Sequence, residues 1–165
     1  MTELVVIAHN IRSTYNVGSI FRSADGFGVT KLYVTGYTPY PQAAVDDRPP
    51  HIRNKLTAQI AKTALGVEQT VPFEYSNDPT TVINHLRKQG YAIAALEQAP
   101  QSTLLPAYQP PAKLALILGE EVHGVPVELL KQCDVTLEIP MAGRKESFNV
   151  SVAAGIALYA LVTAK

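Results

Sequence analysis

The chain predicts an α/β fold, a mostly parallel β-sheet flanked by helices. Six short apolar runs rich in β-branched residues recur along its 165 residues. Helical patterns lie between them. The runs are apolar almost throughout instead of alternating, which is how strands covered on both faces read.

In chain order, Leu4 to Ala8 (LVVIA) reads as the first strand and Lys31 to Gly36 as the second. Thr70 to Phe73, Tyr91 to Leu96, Leu114 to Leu118 and Val135 to Pro140 follow. Helices are expected over Val17 to Phe27, Leu56 to Leu65, Pro79 to Gln89, Pro126 to Gln132 and Val150 to Ala164. Gly66 and Gly90 stand where helix C-caps belong, and Asp78 followed by Pro79 makes a good helix entry. Two segments break the rhythm. Tyr37 to Asn54 holds four prolines and reads as an exposed loop, and Gln98 to Ala112, with four more, reads as an irregular connection. Loops this long in a compact domain usually carry function.

Composition narrows the function. A hydrophobic share of 47% and a charged share of 17% are those of a globular chain. Length predicts one domain over residues 1–165, with no additional RNA-binding domain expected. Acidic and basic residues balance at 14 each, so bulk charge names no partner, while a net charge near zero favours self-association. Cys133 is the only cysteine, and the four histidines are scattered at 9, 51, 85 and 123. That pattern predicts no disulfide, no metal site and a reduced, cytoplasmic setting. No signal-peptide layout opens the chain, and no stretch approaches the ~20 apolar residues that cross a bilayer.

In parallel α/β sheets, ligands bind beyond the carboxyl ends of the strands. Three such segments carry chemistry here. His9 to Arg22 (HNIRSTYNVGSIFR) mixes amides and guanidiniums, the groups that grip phosphate and ribose, with Asn16 able to cap a helix and Gly18 allowing close backbone approach. Leu116 to Pro126 (LILGEEVHGVP) brackets Glu120 and Glu121 between Gly119 and Gly124. Ile139 to Tyr159 (IPMAGRKESFNVSVAAGIALY) places Arg144, Lys145 and Glu146 before Ser147 or Asn149, either of which can cap a slim terminal helix. Each segment alone also fits an ordinary turn or cap.

Together and in this order, the three segments closely resemble the three motifs of the SpoU/TrmH-type ribose 2′-O-methyltransferases of the SPOUT superfamily, from about Leu4 to Leu161. Phe148 departs from the leucine more common there, a change between two bulky apolar residues. The resemblance implies a C-terminal trefoil knot made from roughly the last third of the chain, which no periodicity argument could yield. It also implies a homodimer, an S-adenosyl-L-methionine cofactor and methyl transfer to a ribose 2′-hydroxyl of RNA. The cofactor positions carried over are Leu96, Glu97, Gly119, Ile139, Met141 and Phe148. Arg22 matches the catalytic arginine, Asn16 would fix the active-site loop and Glu120 would hold Arg22 or the ribose. Ser147 and Asn149 would orient the third motif. Arg12, which can come from the partner chain, faces the substrate, and Arg48, Arg53, Lys55, Arg144 and Lys145 are candidates for phosphate contacts, together with His51. The compact shape of transfer RNA suits recognition by a core dimer, with ribosomal RNA as the alternative. A second class of reading is a non-catalytic RNA-binding protein of the same fold, against which the joint presence of Asn16, Arg22, Glu120, Ser147 and Asn149 argues. Dinucleotide-binding, P-loop and serine-hydrolase signatures are missing.

Overall fold

A computed structural model describes residues 2–164. Its elements run β1 (Glu3–His9), α1 (Thr14–Gly26), β2 (Lys31–Thr35), α2 (Pro50–Ala64), β3 (Phe73–Ser76), α3 (Pro79–Lys88), β4 (Ala92–Leu96), β5 (Thr103–Leu104), β6 (Lys113–Leu118), α4 (Val127–Leu130), β7 (Val135–Glu138) and α5 (Val150–Thr163). The seven strands form one sheet in the order β3-β2-β1-β6-β4-β7-β5, and every strand pair is parallel. This is the expected class, and both faces are covered. Leu4, Val6, Leu114 and Leu116 turn to the face packed by α1, α2 and α5, through Ile20, Phe21, Ile60 and Leu158. Val5, Ile7, Ala115 and Ile117 turn to the other, packed by α3 and α4 through Ile83, Leu86 and Leu129. Because side chains alternate along a strand, two-sided burial demands the continuous apolar runs seen in the sequence.

Differences from the sequence expectations have local causes. Helix α1 begins three residues earlier than Val17 and is capped by Ser13, whose hydroxyl accepts from the Asn16 N–H at 3.3 Å. The Asn16 side chain is therefore free for other contacts. Helix α2 begins at Pro50 inside the expected loop, since proline suits a first helical position where no N–H is needed. Its early residues, His51, Asn54 and Lys55, are exposed and so lack the apolar periodicity that marks a helix. The third strand is shifted to Phe73–Ser76, because Val67–Gln69 forms a 3-10 turn and Pro72 brings no N–H to a ladder. Strand β5 is a two-residue edge strand within the proline-rich connection, too short to have a period. Leu65, at φ 56°, takes the left-handed cap of α2 with Gly66 just beyond it, and Asp78 caps α3 by accepting from Thr80 and Thr81. Where α1 crosses α2, a Cβ on Gly18 would fall 2.3 Å from the Ile60 carbonyl oxygen, so the helices approach as closely as they do because that residue is glycine.

No helix among the described residues is long and apolar enough to cross a membrane.

Candidate active site

The carboxyl ends of β1, β4, β6 and β7 lie side by side at the middle of the sheet, where the chain reverses its direction of travel across the strands. Four loops therefore converge there. Between the β4, β6 and β7 loops and the start of α5 lies a cleft of about 230 Å³. Leu96, Glu97, Gly119, Ile139, Met141 and Phe148 all line it, with Glu120, Ser147, His123 and Gln98. Apolar walls from Leu118, Leu137 and Ile139 face polar backbone at Gly119 and Gly124. Phe148 is 42% exposed at the rim, an apolar ring left uncovered.

The β6 loop is a tight turn. Glu120 and Gly124 exchange backbone hydrogen bonds at 3.1 and 3.0 Å. Gly124 sits at φ 68°, and a Cβ there would fall 1.9 Å from Glu97 Oε2. The Glu97 carboxylate is spent on this turn and on its own strand end: Oε2 accepts from the Val125 N–H and Oε1 from the Gln98 N–H, each at 2.8 Å. Gln98 in turn donates from Nε2 to the Glu146 carbonyl at 2.7 Å, tying the end of β4 to the loop before α5.

A chain of neutral and charged groups joins the three motif segments. Asn16 donates from Nδ2 to Glu121 Oε1 at 2.9 Å, and its Oδ1 accepts from Asn149 Nδ2 at 3.1 Å. Asn149 caps α5 by accepting from the Ser151 N–H at 2.9 Å. Glu121 also accepts from the backbone N–H groups of Arg12 and Ser13, each at 3.1 Å. Burial pushes the Glu121 carboxyl up, but the Asn16 amide and these backbone donors outweigh it and hold it below the ordinary range. Its charge also lies at the positive end of α1.

Glu120, which lines the cleft with Glu121, is held differently. It accepts from the Tyr37 hydroxyl and pairs with His123 Nδ1, and these two contacts, the tyrosine first, lower its carboxyl. The Tyr37 hydroxyl is raised in return, chiefly by donating to Glu120. Below, His9 is buried against the Thr35 hydroxyl at 3.0 Å, and burial lowers its pKa despite Asp78 and Glu120.

The remaining expected residues are dispersed. Arg22 is exposed on the third turn of α1 and does not line the cleft. Arg12 borders an open basin on the far side of Tyr37. Arg48 is engaged within its own loop, donating to both Asp46 carboxylate oxygens and to the Tyr40 and Pro41 carbonyls. That pairing holds Asp46 well below the usual carboxylate range. Arg53 donates to the Asp46 carbonyl at 3.1 Å, while Lys55, Arg144 and Lys145 are exposed. Three residues of the site, Glu121, Tyr37 and His123, do not stand out in the sequence. Glu121 has one signal there, an acid beside Glu120 in a strand-end turn, but its partners lie 105 to 109 residues away.

The profile of the SpoU rRNA Methylase family matches residues 3–159. The chain belongs to that family. The chain is 30% identical over 162 residues to the mouse tRNA (guanosine(18)-2'-O)-methyltransferase TARBP1, covering 96% of this chain and 9% of that one. It is also 30% identical to the 23S rRNA (guanosine-2'-O-)-methyltransferase RlmB of Vibrio vulnificus, covering 98% of this chain and 59% of the relative. Among solved structures, the AdoMet-bound rRNA methyltransferase from Sinorhizobium meliloti matches with a TM-score of 0.80 at 26% identity, over 96% of this chain and 55% of that one. The chain thus spans little more than half the length of the bacterial relative, and a small part of the mouse one.

Proposed function

We propose that residues 1–165 form a methyltransferase domain that uses S-adenosyl-L-methionine to methylate a ribose 2′-hydroxyl of RNA. One observation carries this most: the polar chain Glu121–Asn16–Asn149 draws all three motif segments together beside a cleft lined by every expected cofactor residue. The cleft suits the cofactor in kind. Leu96, Ile139, Met141 and Phe148 offer apolar faces to an adenine, and the glycine backbone at Gly119 offers groups that read its edge. The carboxylates of Glu120 and Glu121 give the site the negative field that a cationic sulfonium favours. S-adenosylmethionine supplies the electrophilic methyl group.

The residues of the chain do the positioning, which is where an in-line transfer gains most. Asn16 and Asn149 hold the first and third segments, and Ser147 stands at the cleft beside Phe148. Arg22 orients the ribose and stabilises charge on the 2′-oxygen. A guanidinium is already protonated, with a pKa above ~12, and cannot accept another proton, so a substrate phosphate relays the 2′-hydroxyl proton to solvent. The terminal segment would form the trefoil knot. The chain path supports it, since β6 enters between β1 and β4, β7 lies outside β4, and α5 then returns to pack on α1. The protein would act as a homodimer, bringing Arg22 to the partner's cleft. Helix α5 supports that, being apolar on every side with Val152 and Tyr159 49% and 59% exposed. Transfer RNA in the cytoplasm is the substrate proposed, in line with the specificity named for the mouse relative and the compact target a core dimer can grip. Ribosomal RNA, the substrate named for the Vibrio relative, is the alternative.

The test is a calorimetric titration with S-adenosylmethionine followed by mapping of 2′-O-methyl groups in RNA from cells with and without the gene. Saturation near one cofactor per chain and the loss of a single methylated nucleotide are expected. Folded protein that binds no cofactor would refute the enzymatic reading in favour of a non-catalytic RNA-binding protein. An Arg22→Lys enzyme should turn over roughly 100-fold more slowly, and near-normal turnover would exclude a bidentate role for that side chain.

A further inference from the structure

On the opposite side of Tyr37 from the cleft, an open basin of about 880 Å³ separates the start of α1, the loop after β2 and the middle of α2. Its lining is unusual for a surface hollow. Tyr15, Tyr37, Tyr40 and Tyr75 all contribute, with Arg12 and Gln59. Tyr15, Tyr37 and Tyr75 are 50%, 55% and 39% exposed.

Three of these rings, Tyr37, Tyr40 and Tyr75, are held in place. Tyr37 is fixed at both ends, its N–H donating to Asn10 Oδ1 at 3.1 Å and its hydroxyl to Glu120. Tyr40 is sandwiched, with the Arg48 guanidinium 3.5 Å from its ring centre on one side and the Tyr75 ring stacked at 4.4 Å on the other. The Tyr75 hydroxyl donates to the Gly36 carbonyl at 3.2 Å, beside Tyr37. Arg48, bound to Asp46 and two carbonyls, is the buttress of this stack. An exposed aromatic side chain ordinarily keeps its rotamer freedom, and fixing it costs free energy that a flat ligand recovers by stacking. Rigid exposed rings beside an arginine are how proteins take unpaired bases of single-stranded nucleic acid. Because Glu120 lines the cleft and accepts from Tyr37, which lines the basin, the two hollows share one wall.

We propose that this basin is a nucleobase subsite, in which an unpaired base next to the modified nucleotide stacks on Tyr37 and Tyr15 while Arg12 meets its phosphate. The Gln59 carboxamide, with a donor and an acceptor, reads the base edge. This rests on the RNA-methyltransferase reading above, and it adds a requirement: the target ribose has a flipped-out or single-stranded neighbour.

The chain has no tryptophan and eight tyrosines, so 3-fluorotyrosine labelling gives a sparse ¹⁹F spectrum in which Tyr15 and Tyr37 are assigned by substitution. Full-length protein is titrated with a short single-stranded oligoribonucleotide and with an abasic oligonucleotide of the same length. The subsite predicts that the base-containing RNA shifts the Tyr15 and Tyr37 resonances and the abasic one does not. Tyr15→Ala and Tyr37→Ala should each weaken base-containing RNA about 5- to 150-fold, and Tyr37→Phe, which keeps the ring but loses its tie to Glu120, should weaken it less than Tyr37→Ala does. Equal shifts with both oligonucleotides, or alanine variants that bind as the parent does, would overturn it. The oligonucleotide comparison on the parent protein stands even if a variant misfolds. Base-dependent shifts in protein that binds no S-adenosylmethionine would uphold the subsite and defeat the methyl-transfer reading alone.

Discussion

Replacing Gly124 by alanine tests the turn on which the cleft depends. Two costs can be separated. Gly124 lies at φ 68°, in the left-handed region, where a side chain costs about 1–2 kcal/mol. The new Cβ would also meet Glu97 Oε2 at 1.9 Å, so the carboxylate must leave the Val125 N–H that it now accepts from at 2.8 Å. A hydrogen bond to a charged group is worth about 1.5–3 kcal/mol. The sum is about 2.5–5 kcal/mol, which for a chain of this size lowers Tm by roughly 5–20 °C. Gly90→Ala supplies the control. Gly90 is also left-handed, at φ 85°, but a Cβ there has nothing within 4 Å, so only the first cost applies and Tm should fall by about 2–8 °C. Calorimetric unfolding of the two variants measures the gap. Because Glu97 and Gly124 line the cleft, Gly124→Ala should also weaken S-adenosylmethionine binding while Gly90→Ala leaves it intact. Two variants with the same Tm and the same cofactor affinity would refute the account of how Glu97 holds the β6 turn.

Other outcomes follow from the same geometry. Glu121 is held below its ordinary 4.5, so its contribution to stability is complete above that pH and is lost as pH falls through the lowered folded value; Glu121→Gln should flatten that acid limb in a melting series from pH 6 to 2. Burial pushes the Cys133 thiol up to about 11, so at pH 8 it should react with a disulfide reagent far more slowly in the folded protein than in denaturant. Alanine at Lys55, Arg144 or Lys145 should lower the slope of log affinity against log salt for single-stranded RNA by about 0.7 for each phosphate no longer neutralised. Arg48→Ala should act differently, loosening the loop between β2 and α2 and speeding its proteolysis, because that guanidinium is tied to Asp46, Tyr40 and Pro41.

The fold class is readable because two-sided burial leaves a plain mark: the runs at β1, β2, β4 and β6 are apolar wherever the sheet covers both their faces. Edges leave a weaker one. Strand β3 mixes exposed residues with half-buried ones, and β5 is two residues long, so the sequence misplaces the first and does not reveal the second. At the site, Gly119, Ile139, Met141 and Phe148 are legible through the motifs and Leu96 through the resemblance they carry, and the structure sets them around one cleft. Glu121 is not, since the value of a carboxylate here depends on which N–H groups face it, and those come from the start of a helix more than 100 residues earlier. Arg48 misleads for the opposite reason: a basic residue in an exposed-looking loop reads as free, yet Asp46 two positions before it takes up its charge.

The amide link from Asn16 to Asn149 closes a span of 133 residues, and that from Asn16 to Glu121 one of 105. Contacts of such range return energy only after most of the chain is already in place. The pocket consequently matures late, and a form with its sheet half assembled has no site to fill. A ligand that binds at the cleft thus recognises only finished molecules, and it stabilises them by mass action. In a cell, supply of such a ligand would then act on how much of the protein survives.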